Sequence, residues 1–191
     1  MARGRVTRED WTMAALRALA RGGVAAVAVD VLAGGLGITR GSFYWHFKDR
    51  EALLVAAVEL WEQRTTADFI ARLASLDDPE DKLREGLRTA LGAEVVPGLE
   101  PALVAHADHP VIAPVLTRVI ERRIAFLAEV YADLGLTPAV ARRQAVLAYA
   151  AYLGWAELRR VAAGVVPEVA VEGPRGRAGL KHLIDQLAAV R

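Results

Sequence analysis

Residues 37–48 read GITRGSFYWHFK. The chain has only four Phe, four Trp and four Tyr in 191 residues, yet Phe43, Tyr44, Trp45 and Phe47 fall within five positions, with His46 among them and Arg40 and Lys48 on either side. A helix opening behind Thr39, whose hydroxyl is placed to cap the exposed amides of the next turn, sets Phe43 and Phe47 four residues apart on one face and Arg40, Tyr44 and Trp45 on another. Two rings then go inward. With Trp11, Ala15, Leu19, Leu32 and Leu36 they make a small core, each buried ring contributing roughly 1.5–3 kcal/mol. The remaining rings carry polar handles, a phenol, an indole and an imidazole, among basic residues. That combination suits contacts to phosphates and base edges, with Arg40 long enough for either and Gly41 allowing close backbone approach. A rival reading, an aromatic core corner ringed by solvated charge, accounts for Phe43 and Phe47 but gives no reason for Tyr44, Trp45 and His46 to occur in a row.

Working outward, the segment before it reads as two more helices. The first begins after Thr7, with Asp10 three residues on in capping-box spacing, and stops at Gly22-Gly23. A short second helix over 28–36 ends at a turn on Gly37, so a helix-turn-helix is expected. Asp49 is expected to cap a long fourth helix running to about Phe69, with further helices over 81–95, 101–107, 111–134, 138–163 and 177–190. Thr137-Pro138 is a strong helix start, because proline at the first helical position forfeits no hydrogen bond. Residues 164–176, with Pro167, Gly173 and Pro174, form the one long connector. Apolar positions recur at three and four and no stretch sustains a period of two except Val24 to Val31, which is too Ala-rich for a strand, so the fold class is all-α: an N-terminal three-helix unit over 1–47 and a helical bundle over 48–191.

Net charge is +1, but residues 1–50 hold eight Lys/Arg against four Asp/Glu while the remainder holds sixteen against nineteen. A compact basic end is the electrostatic footprint of a nucleic-acid partner. The chain has no Cys, which removes disulfides and thiolate chemistry and fits a reducing compartment. Ser occurs only at 42 and 75, neither in a Gly-x-Ser-x-Gly turn, and no phosphate-cradling glycine loop follows a strand, so catalysis is not expected. No span approaches the roughly 18 apolar residues of a membrane helix; 144–156 is bounded by Arg142, Arg143 and Glu157. The start is basic without an apolar run behind it, and a cytoplasmic protein with no membrane partner is expected.

The longer run GITRGSFYWHFKDREALL resembles the helix-turn-helix signature of TetR-family transcriptional repressors. The resemblance implies that Tyr44 and His46 touch phosphates, that Trp45, Arg40 and Gly41 face bases, that Arg50, with Lys48 nearby, clamps the DNA backbone, and that Thr39 and Ser42 also belong to the DNA-binding set. It implies a double-stranded operator, repression released by a small-molecule effector, and no cofactor. Two departures concern the second helix: Val27-Ala28 stands where Thr or Ser is usual, and Gly34-Gly35 where helix formers are common. The missing cap costs about 1 kcal/mol and each glycine a similar amount.

In the helix from Pro138 one stripe runs Leu147, Ala151, Gly154, Leu158 and another Ala145, Tyr149, Tyr152, Ala156. A helix apolar on two sides needs cover on both, from its own bundle and from the same helix of a second copy, the alternative being the central helix of a monomer. A homodimer also answers the need for two recognition segments on a palindrome. Trp61, His106, Tyr149, Tyr152 and Trp155 are candidates to wall the effector pocket that the family implies. His106, Asp108 and His109 are the residues a metal would use, but their place before Pro110 suits helix ends better, and no metal is expected. The rival to the regulator as a whole is a helical interaction module that binds no DNA, which leaves the basic end unexplained.

Overall fold

The computed structural model describes residues 5–92, 96–170 and 172–189. All regular secondary structure among them is helical: α1 Arg8–Gly22, α2 Val29–Leu36, α3 Arg50–Glu62, α4 Asp68–Ala74, α5 Pro79–Gly92, α6 Leu99–Val104, α7 Ile112–Asp133, α8 Pro138–Ala162 and α9 Gly173–Ala188. Shorter helical turns lie at Val24–Ala26, Arg40–Trp45 and Pro167–Val169. The all-α expectation holds. The expected helix ends at 95 and 190 lie outside the described residues, as does Arg3 of the basic start. No helix among the described residues is long and apolar enough to cross a membrane.

The described residues form two compact units, one within Met1–Arg64 and Leu99–Thr117, the other within Thr65–Gly98 and Arg118–Arg191. In the first unit, α1 opens on a complete capping box. The Thr7 amide donates to Asp10 Oδ2 at 2.7 Å, and the Asp10 amide donates to Thr7 Oγ1 at 3.2 Å. The helix closes at Gly23, whose φ of 65° favours glycine and whose amide donates to the Leu19 carbonyl at 2.8 Å. The His106 imidazole fills the space a Cβ at this position would need. Trp11, Ala15, Leu16 and Leu19 turn one buried face of α1 toward α3 and α6, where Leu53, Leu54 and Leu103 are also buried.

In the second unit, α5 contributes Leu83, Leu87 and Leu91 at four-residue spacing to a core completed by Ile124, Val130 and Tyr131 of α7, Ala141, Ala145, Ala148 and Tyr149 of α8, and Ile184 and Leu187 of α9. The connector is shorter than expected, because the turn Pro167–Val169 and an early start of α9 at Gly173 take up most of it. Gly176 and Gly179 let α9 lie directly on the carbonyls of Ala170 and Glu168, where any Cβ would collide. Thr137 stands at the start of α8 with Pro138 first in the helix, as expected, although its hydroxyl makes no capping bond.

The expected fourth helix is not one continuous α-helix. Between α3 and α4 the chain widens into a π-helical turn, Gln63–Ala67. Arg123 of α7 explains why the turn persists: its Nε donates to Thr66 Oγ1 at 3.0 Å, and its Nη2 donates to the Thr65 hydroxyl at 3.0 Å and the Thr65 carbonyl at 3.2 Å. A backbone carbonyl bound by a side chain is one that the regular ladder need not satisfy. The same guanidinium lies 5.8 Å from the centre of the Tyr152 ring.

Tyr131 gives the second unit its clearest polar anchor, since its fully buried hydroxyl donates to the Leu187 carbonyl at 2.8 Å. Burial pushes the phenol from 10.0 up to about 12, against a smaller opposing hydrogen bond from Gln144. The folded state thus holds the proton more tightly, a contribution that is complete below pH 10.0 and is lost as pH rises through about 12. Tyr131→Phe should lower unfolding free energy in urea at neutral pH by roughly 1–3 kcal/mol, through an orphaned carbonyl. It should also flatten the alkaline decline between pH 10.0 and about 12 that the parent shows.

Candidate nucleic-acid interface

The basic, ring-rich segment begins where α2 stops. Gly37 takes the left-handed conformation, φ 70° and ψ 33°, and the Ile38 amide reaches back to the Ala33 carbonyl at 3.0 Å, which ends the helix and redirects the chain. Thr39 is extended, and Arg40–Trp45 then forms a 3-10 helix. This corrects the expected α-helix. The Ser42 amide donates to the Thr39 carbonyl at 3.0 Å, an i to i+3 bond, while the Thr39 hydroxyl caps nothing. Space explains the difference: Asp49 already caps α3, its Oδ1 accepting from the Ala52 amide at 2.7 Å, so only a few residues separate the segment from the next helix start. Six residues that must also seat Phe43, with Phe47 two places beyond, suit the tighter helix, which serves best in short pieces.

The division of the rings is the one their spacing implies. Phe43 is 1% exposed and meets Trp11 edge-on at 5.3 Å between centroids, and Phe47 stacks beside it at 5.6 Å. Tyr44 and Trp45 are 56% and 83% exposed. His46 is half-buried, while Thr39, Arg40, Gly41 and Lys48 are exposed. Ser42 differs from the rest: its Oγ is enclosed and has no hydrogen-bond partner among the described residues.

Arg40 Nη1 donates to Asp30 Oδ2 at 3.2 Å and its Nη2 to the Tyr44 hydroxyl at 3.4 Å. The Tyr44 hydroxyl first, and the Asp30 carboxylate after it, raise the guanidinium above its ordinary value, so its charge is constant over any working pH. Lys48 lies 3.7 Å from Asp49. Arg50 is occupied within its own unit: Nε donates to the Val27 carbonyl at 2.7 Å and Nη2 to the Val24 carbonyl. These bonds hold the turn that leads into α2, the helix whose N-cap Ala28 offers no side-chain bond. Asp30 escaped the reading of the sequence, and Arg8 figures in it only as one charge of the basic start. The guanidinium carbon of Arg8 lies 4.7 Å from the centre of the Phe47 ring, a contact that neither local spacing nor motif announces.

The five candidate pocket residues are divided between the two units. Trp61 is buried and His106 half-buried in the first unit, with His106 Nδ1 2.9 Å from the Ala102 carbonyl. In the second unit Tyr149 is buried, Tyr152 and Trp155 are half-buried, and the two tyrosine rings lie 5.8 Å apart. An open groove of about 760 Å³ in the second unit is lined by Arg84, Glu85, Arg88, Leu180, Lys181 and Asp185 among others, and by none of those five. His109 Nδ1 accepts from the Val111 amide at 3.2 Å, a helix-end role, and no group able to hold a metal occurs among the described residues.

Residues 12–57 match the model of the family described as bacterial regulatory proteins, tetR family. Residues 12–57 are thus similar to a tetR-family segment. This tetR-type segment is 39% identical over 56 residues to the HTH-type transcriptional regulator AcrR of Shigella flexneri, covering 29% of this chain and 25% of that protein. The chain therefore spans only a quarter of the length of that relative. Over nearly its whole length the fold is similar to that of a putative transcriptional regulator from Saccharomonospora viridis in complex with choline, with a TM-score of 0.75, 16% identity and 95% of each chain covered. It is likewise similar to AibR in complex with isovaleryl coenzyme A and operator DNA, with a TM-score of 0.61, 18% identity and 95% of each chain covered.

The geometry separates residues that hold the tetR-type segment from those it displays. Phe43→Ala should cost roughly 3–5 kcal/mol in equilibrium unfolding, as a buried ring lost from a packed core. Trp45→Ala should stay within about 0.5 kcal/mol of the parent. Equal losses in the two variants would mean that Trp45 is packed in solution.

Proposed function

We propose that the protein is a ligand-responsive transcriptional regulator, a repressor without catalytic activity, that binds a palindromic operator as a homodimer in the cytoplasm. The observation that carries this reading is the display of Tyr44 and Trp45 at a basic surface over the anchored rings of Phe43 and Phe47. Tyr44 and His46 serve as phosphate contacts, Thr39, Arg40, Gly41 and Trp45 approach bases, and Lys48 adds charge beside the duplex. Ser42 and Arg50 act from behind: Ser42 has an enclosed hydroxyl, and Arg50 holds the carbonyls of Val24 and Val27 in the turn before α2. DNA reading belongs to residues 1–47, and effector binding and dimerisation to 48–191. The matched family is one of regulatory proteins, and AibR is described with both an acyl coenzyme A and operator DNA. Those names support an effector of small-molecule size, with Tyr149, Tyr152 and Trp155 as its candidate aromatic wall and Trp61 and His106 as candidates in the other unit.

The dimer reading has its own support in α8. Ala145, Tyr149 and Ala156 are buried in their own unit, whereas Leu147 is 56% exposed, Val161 is 58% exposed, and Gly154 and Leu158 are exposed between them. These residues recur at helical spacing on one side, with small residues between larger ones, so a second copy of the helix can pack closely along that stripe.

Band-shift titration against duplex from the DNA upstream of the chain's own gene tests the reading. The parent should retard one palindromic site, with affinity falling steeply as salt rises. Tyr44→Ala should lose roughly ten-fold or more. Unchanged binding by that variant ends the assignment of the surface, and a parent that binds no duplex leaves the helical interaction module as the better account. Separately, Leu147→Asp with Leu158→Asp should shift the protein from dimer to monomer in sedimentation equilibrium and weaken operator binding. A dimer that survives both changes places the two-fold contact elsewhere.

A further inference from the structure

Arg40 and Asp30 come from either side of the Gly37 turn and meet at the exposed face. Their side chains are 3.2 Å apart, and the Tyr44 hydroxyl accepts a second bond from the same guanidinium at 3.4 Å. An exposed ion pair of this kind adds little to stability, but two fixed partners give a long, flexible side chain a direction. A guanidinium has five N–H groups, and these two bonds use two of them. Three remain to face a ligand.

The chemistry of the neighbours selects that ligand. A carboxylate beside the cation cancels much of its charge and repels phosphate, which makes Arg40 a poor clamp for the DNA backbone. It leaves the fork of remaining donors intact for a neutral partner with two adjacent acceptors. In the major groove only guanine offers that pair, O6 with N7; adenine, cytosine and thymine each replace at least one of the acceptors by a donor or a methyl group. We propose that Arg40 reads a guanine in each operator half-site and that Asp30 is the positioning residue that aims it. Tyr44, whose oxygen accepts from Arg40, keeps its own proton to donate to a phosphate oxygen, so one ring joins the base-reading group to the backbone contact. The proposal rests on the DNA-binding reading above and adds to it which base is read and by what device.

Selection of the full-length protein from a random duplex library tests it, with Arg40→Ala and Asp30→Asn selected in parallel. The parent should enrich a palindrome in which one position per half-site is guanine. Replacing that base by 7-deazaguanine should weaken parent binding by roughly five- to 150-fold. Arg40→Ala should become indifferent to the base at that position while keeping its other preferences and its salt slope. Asp30→Asn should lose discrimination at the same position without losing affinity for unrelated duplex. Three results overturn the proposal: an Arg40→Ala selection that retains the guanine, an Asp30→Asn variant that discriminates as the parent does, or a uniform loss in Arg40→Ala with a salt slope smaller by about 0.9 per subunit. The last is the signature of a phosphate contact. A parent that enriches no duplex is a different outcome and overturns the DNA-binding reading itself.

Discussion

The exposed face of the first unit exists because two rings are hidden behind it. Phe43 and Phe47 stack together, and Phe43 closes on Trp11 of α1. A six-residue 3-10 helix has too few hydrogen bonds to hold its own shape in water, and helix formation by so short a piece is unfavourable without tertiary packing. The hydrophobic seat supplies what the backbone lacks. Once it is fixed, the direction of Tyr44, Trp45 and Arg40 follows, because they occupy the remaining sides of the same turn. The αL glycine ahead and the Asp49 cap behind bound the segment at both ends, so its length leaves it little freedom.

Polar side chains do comparable work where the backbone departs from regular helix. Arg50 binds two carbonyls in the turn before α2, and Arg123 binds the carbonyl and hydroxyls of the π-helical turn. In each case an arginine from a distant part of the sequence adds hydrogen bonds to carbonyls at an irregular turn. The multiple donors of one planar head suit it to this task better than a lysine. The residue expected to clamp a DNA backbone is thus also part of the scaffold of the first unit.

Much of this was legible in the sequence, and the pattern of success has a physical basis. The capping box at Thr7 and Asp10, the turn at Gly37, the cap at Asp49 and the inward and outward division of the aromatic run all rest on short-range rules, and all appear as expected. The α8 stripes were readable for the same reason: a 3.6-residue period fixes which positions share a side. What escaped depends on partners far apart in the chain. The π-helical turn needs Arg123, and the aim of Arg40 needs Asp30. The 3-10 form of Arg40–Trp45 was missed because residues 39–47 fit either helix locally, and crowding from the next cap decides between them. The five aromatic and imidazole pocket candidates were chosen by residue type alone, and they are divided between the two units.

The contact beneath α9 has a consequence for how this protein is best interrogated. Gly176 and Gly179 are defined by atoms they lack, because their helix lies against the main chain of Ala170 and Glu168 with no room for even a methyl group. Alanine, the usual neutral probe and the best helix former, is therefore a bulky intruder at both positions. A scan of tolerated replacements would mark this pair as sharply as residues that touch a ligand, for reasons of contour alone.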